Sequence, residues 1–120
     1  MKVLLAEDEP DVQLIARLSL KKAGFQVVTV GNGIEALVRV NEERPDVILL
    51  DWMMPDMDGF ETCRRLKADP ATQPIPVIFL TAKVQESEVA KALALGAAGC
   101  IGKPFDALTL GDQVRAILAQ

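Results

Sequence analysis

A chain of 120 residues, half of them apolar and a quarter charged, with a net charge of −4, has the make-up of one globular domain rather than a disordered segment. The absence of any histidine excludes His-ligated zinc enzymes, Ser–His hydrolases and histidine phosphodonors, and the lack of a basic run argues against sequence-independent nucleic-acid binding. The two cysteines, Cys63 and Cys100, stand among apolar or helical neighbours and read as reduced residues of a cytoplasmic protein.

The chain opens with an apolar run at Lys2–Ala6, which Glu7 and Asp8 interrupt too early for a signal peptide, so it reads as a buried strand. A first helix starts near Pro10, turns Val12, Ile15, Ala16 and Ser19 inward, and ends at Lys21-Lys22-Ala23 before Gly24. A second strand at Gln26–Val30 leads to a helix opening at Asn32, with Glu35 at capping-box spacing, and running to about Glu43. Asp46–Leu50 is the third strand. The third helix opens at Asp58 with Glu61, buries Phe60, Cys63 and Leu66, and is stopped by the proline-rich loop from Asp69 to Pro76. Val77–Leu80 is the fourth strand, followed by a helix from about Gln85 to Leu95 that ends at Gly96. The fifth strand is Gly99–Ile101, and the last helix runs from about Asp106 to Leu118 with Leu110, Val114, Ile117 and Leu118 facing in. No apolar run is long enough to span a membrane. Alternating strands and helices predict an α/β fold in a single domain over residues 1–120. Its parallel five-stranded sheet has the order 2-1-3-4-5 and is wound on both faces by the five helices.

In such a sheet, ligands gather beyond the carboxyl ends of the strands. There the sequence places Glu7-Asp8-Glu9, Asp51, Thr81-Ala82 and Gly102-Lys103-Pro104. Strands 1 and 3 are neighbours in this order, so Glu7, Asp8 and Asp51 converge, and three carboxylates repel one another unless a cation joins them or a proton is retained. Oxygen ligands suit Mg²⁺ or Mn²⁺. Thr81 offers a hydroxyl and Lys103 a point charge for a transferring phosphoryl group, and Asp51 is the candidate nucleophile that would form an acyl phosphate. Taken singly, each feature has a plainer reading: a solvated helix start for the acidic run, a turn for Asp51, a cap for Thr81, a strand-stopping loop for Lys103-Pro104. Met53, Met54 and Met57 read as packing residues, and Gly31-Asn-Gly33 as a turn with a cap.

Glu7-Asp8, the run from Asp51 to Gly59, Thr81-Ala82 and Lys103-Pro104-Phe105, in that order, resemble the motifs of response-regulator receiver domains of the CheY-like kind over essentially the whole chain. The resemblance implies a flavodoxin-like doubly wound fold and a phosphoacceptor signalling domain, not an enzyme beyond promoting its own phosphorylation and dephosphorylation. It further implies that Asp51 is the phosphoacceptor and that Mg²⁺ (or Mn²⁺) is held by Asp8, Glu7, Asp51 and the Met53 carbonyl. Thr81 and Lys103 would contact the phosphoryl oxygens, and the bond before Pro104 would be cis. The donor would be a sensor histidine kinase or histidine phosphotransfer protein, with a downstream partner beyond it. A homodimer through helix 4, strand 5 and helix 5 is left open, and neither direct nucleic-acid contact nor a membrane is expected.

Three positions depart from that pattern. Glu7 stands where an Asp is frequent, Cys100 where many receivers carry an aromatic switch residue, and Gly102 precedes Lys103. A small Asp-nucleophile hydrolase, a flavodoxin-like cofactor carrier and a partner-binding pseudo-receiver are the competing readings. The first lacks chain for a cap domain, the second a phosphate loop after strand 1, and the third is disfavoured because every expected chemical residue is present.

Overall fold

The structure is a computed structural model describing residues 1–82, 85–103 and 105–120. Its elements are β1 (Lys2–Ala6), α1 (Pro10–Lys22), β2 (Gln26–Val30), α2 (Gly33–Glu43) and β3 (Val47–Asp51). They continue with α3 (Gly59–Ala68), β4 (Val77–Thr81), α4 (Glu86–Ala94), β5 (Gly99–Gly102) and α5 (Leu110–Leu118). All strand pairings are parallel, in the order β2-β1-β3-β4-β5.

Every residue of β3 and β4 is buried, which explains why these strands read as unbroken apolar runs instead of alternating ones. Successive side chains go to opposite faces. Leu4, Ile48, Leu50, Val77 and Phe79 meet Ala36, Val40, Cys63, Leu66 and Ala92 from α2, α3 and α4 on one face. Val3, Leu5, Val47, Leu49, Ile78 and Leu80 meet Ala16, Leu20, Leu110 and Val114 from α1 and α5 on the other. Each fully buried Leu, Ile or Phe contributes about 2 kcal/mol relative to an exposed one.

Helix ends follow local chemistry. Asn32 and Asp58 accept the Glu35 and Glu61 amides, both at 2.8 Å. Glu35 reaches back to the Gly31 amide, while Glu61 turns instead to Arg64 and Arg65, leaving its capping box half-made. α1 and α4 both stop at a left-handed glycine, Gly24 (φ 99°) and Gly96 (φ 94°). In each case the next amide returns to a carbonyl in the last turn, Phe25 to Leu20 and Ala97 to Ala92. α2 ends on Arg44, a non-glycine residue with φ 49°.

Several expectations shift: β4 and β5 each run one residue further, through Thr81 and Gly102, and Phe60 is only half-buried. β3 starts one residue later and includes Asp51. Ile15 is 48% exposed, and the inward stripe of α1 runs through Ala16, Ser19 and Leu20. α5 begins about a turn later than Asp106. The Asp106 carboxylate takes the Leu108 amide and its carbonyl the Thr109 amide, a local turn that competes with helix.

Candidate functional site: an acidic pocket at the strand ends

The parallel register brings the site together. Ala6 lies beside Leu50, so Glu7, one residue on, stands beside Asp51. Asp51 pairs with Leu80 and Thr81 with Gly102, which puts Lys103 one step past the same edge. Residues remote in sequence therefore converge because four strands end at one level.

Lys103 Nζ sits 3.0 Å from Asp51 Oδ1 and 3.4 Å from Glu7 Oε2. Glu7 is fully buried; Asp51 and Thr81 are nearly so. The Glu9 amide donates to Glu7 Oε1 at 3.3 Å and the Met53 amide to Asp51 Oδ1 at 3.4 Å. Glu7, Asp8 and Asp51 each bring one carboxylate oxygen within 4.8 Å of the others. Asp8 is the exposed member of the three. A cavity of about 390 Å³ opens over this group, lined by Glu9, Asp51, Trp52, Met53, Thr81, Ala82, Glu88 and Lys103.

The carboxylates are held uneasily. Burial, then repulsion from Asp51, pushes the Glu7 pKa up to about 7, against the opposing pull of Lys103 and the Glu9 amide. Burial also raises Asp51, with Lys103 and the Met53 amide lowering it. Burial works against the Lys103 ammonium, but Asp51 and Glu7 together outweigh it and keep its pKa above the ordinary value. One ammonium cannot neutralise three carboxylates, so the pocket has the chemistry of an oxygen-lined divalent-cation site.

The wall behind Asp51 is aromatic and closely packed. The Trp52 ring meets Phe60 edge-on at 4.2 Å and Phe79 at 5.0 Å. The Trp52 amide bonds to the Leu80 carbonyl, and its own carbonyl takes the Gly59 amide. A Cβ on Gly59 would run into the Asp51 carbonyl oxygen, so only glycine permits this close approach.

The structure thus unites Glu7, Asp8, Asp51, Thr81 and Lys103, all of them legible as strand-end residues. The Met53 side chain points to solvent, 77% exposed. The bond before Pro104 lies outside the described residues. Glu88 was not legible in the sequence, because its place on the cavity wall depends on how α4 packs. In the sequence Glu9 stands out only as part of an acidic run.

The family model for the response regulator receiver domain matches residues 3–115. The chain belongs to this family. As a receiver it is a signalling domain of two-component response regulators, which accept a phosphoryl group on an aspartate and switch conformation. It is 42% identical to the phosphate regulon transcriptional regulatory protein PhoB of Rhizobium meliloti, covering 98% of this chain and 52% of that protein. It is 38% identical to the DNA-binding response regulator MtrA of Mycolicibacterium smegmatis, over 98% and 50%. The receiver thus spans about half the length of the curated relatives it matches. Among solved structures, a chemotaxis response regulator of Vibrio cholerae superposes with a TM-score of 0.91 at 31% identity, covering 97% of each chain. No described helix of the receiver is long and apolar enough to cross a membrane.

Proposed function

We propose that Asp51 is the acceptor of this receiver and that its donor is a phosphohistidine on a sensor histidine kinase or histidine phosphotransfer protein. An Asp51 carboxylate oxygen forms the new P–O bond while the P–N bond breaks, and the imidazole leaves with the electron pair. Glu7, Asp8, Asp51 and the Met53 carbonyl are the groups that would hold Mg²⁺ or Mn²⁺, and the all-oxygen donor set fits either ion. When bound, that cation supplies charge neutralisation for the phosphoryl oxygens. Lys103, already 3.0 Å from Asp51, pairs with a phosphoryl oxygen as the negative charge shifts from the carboxylate, and the Thr81 hydroxyl donates to another. Water attacking the phosphorus would break the P–O bond to Asp51 and release phosphate, and the same groups would stabilise that transfer, so the domain promotes its own dephosphorylation as well.

The observation that carries this reading is Asp51 itself: buried, at a strand end, against an ammonium and two further carboxylates. Thr81 and Lys103 move toward the new charge and repack the α4–β5–α5 face, which reaches a downstream partner or a second copy. Cys100 on β5 leaves that face without an aromatic switch residue. A net charge of −4 and no basic run argue against nucleic-acid contact by these 120 residues, and exchange with a histidine kinase or phosphotransfer protein would take place in the cytoplasm.

Intact mass after incubation with Mg²⁺ and a small acyl phosphate tests the assignment. The wild type is expected to gain one phosphoryl mass and Asp51→Asn none. Equal gain in both proteins would place the acceptor elsewhere.

A further inference from the structure

Two carboxylates on the cavity wall have no part in the chemistry described above. Glu9, exposed, precedes the first turn of α1, and Glu88, half-buried, lies in the first turn of α4. Neither makes an ion pair among the described residues. Lys103 is the one cation among the described residues that line this cavity. Once a divalent cation is bound, its charge and that of Lys103 balance Glu7, Asp8 and Asp51. Among the described residues that line the cavity, Glu9 and Glu88 then remain as negative charge without a paired cation.

Resting on the phosphoacceptor reading of Asp51, we infer that Glu9 and Glu88 are specificity determinants that select phosphodonors by charge. They disfavour free dianionic acyl phosphates relative to less highly charged, nitrogen-linked phosphoryl groups. Both donor classes transfer to the same oxygen. With acetyl phosphate the bond from phosphorus to the acetyl oxygen breaks and acetate leaves with the electron pair. With phosphoramidate the P–N bond breaks, and the nitrogen leaves with the pair and its proton as ammonia. What differs is the charge that must pass the rim. A unit negative charge ~8 Å from an approaching dianion in water slows encounter roughly fourfold at low ionic strength and roughly twofold at ~0.15 M. A monoanion is slowed by the square root of those factors.

The experiment measures initial rates of Asp51 phosphorylation by intact mass, at saturating Mg²⁺, for wild type, Glu9→Gln/Glu88→Gln and the charge-conserving Glu9→Asp/Glu88→Asp. Acetyl phosphate and phosphoramidate are the two donors. The neutralised variant is expected to raise the rate ratio of acetyl phosphate to phosphoramidate about fourfold at low salt and about twofold at ~0.15 M. The Asp variant should keep the wild-type ratio. Taking the ratio cancels changes in cation affinity or in the amount of folded protein. A ratio unchanged by neutralisation, with both donors still labelling Asp51, would overturn the rim inference and leave the phosphoacceptor reading standing. No labelling of wild type by either donor would remove the phosphoacceptor reading itself, and the rim inference with it.

Discussion

Glu7 carries a carboxyl group with no exposed surface, and burial with Asp51 beside it lifts its pKa from 4.5 to about 7. The folded protein therefore keeps a proton there that the unfolded chain gives up near pH 4.5. Between those values the native state binds more protons, so stability falls as pH rises, by at most about 3 kcal/mol from this residue. Burial raises Asp51 as well, with the same sign. Denaturant unfolding in the presence of a chelator should show the metal-free protein losing stability from about pH 5 to pH 7, and Glu7→Gln flattening that slope. A wild-type curve that rises over this window would contradict the assignment. Site residues were readable from sequence to the extent that they sit at strand ends: Glu7, Asp8, Asp51, Thr81 and Lys103 each follow or finish an apolar run. The packing role of Gly59 and the place of Glu88 were not, because a tight approach to the Asp51 carbonyl and a position on the cavity wall exist only once α3 and α4 have packed.

At the scale of elements, α1 poses the sharpest choice. Leu14, Ile15, Leu18 and Leu20 are all large and apolar, and several helical stripes can be drawn through them. The helix settles on Ala16 and Leu20, which pack with Phe25, Leu110 and Val114, and leaves Leu18 54% exposed. Leu20→Ala should accordingly cost about 3 kcal/mol, and Leu18→Ala less than about 0.5 kcal/mol, by chemical denaturation. Similar losses for the two would mean that the helix is rotated. Ends marked by covalent or hydrogen-bonding necessity were legible: Pro10 at the start of α1, Gly24 and Gly96 beyond α1 and α4, Asn32 and Asp58 as caps. The start of α5 was not. An aspartate such as Asp106 serves a turn or a cap equally well, and its bond to the Leu108 amide decides for the turn.

For the molecule as a whole, alternating strands and helices pointed to a parallel sheet covered on both faces, and 2-1-3-4-5 was the usual order to expect of five such strands, which the structure has, so topology was more legible than any helix face. The unbalanced pocket gives that topology a thermodynamic handle. A divalent cation that binds only the folded state should stabilise it by about 2.7 kcal/mol at a hundred times its dissociation constant. Thermal melting with and without Mg²⁺ should show a rise in Tm that Asp8→Ala abolishes; an equal rise in both proteins would place the cation elsewhere. The sheet also divides the interior into two clusters that share no buried residue, Leu66 lying on one side and Leu20 on the other. Substitutions on opposite sides should be additive to within about 0.5 kcal/mol, as Leu20→Ala combined with Leu66→Ala would show. The side packed by α1 and α5 can then drift in sequence without compensating changes on the side packed by α2, α3 and α4. One fold would in that way hold two separately mutable histories, meeting at the row of strand ends where Asp51 sits.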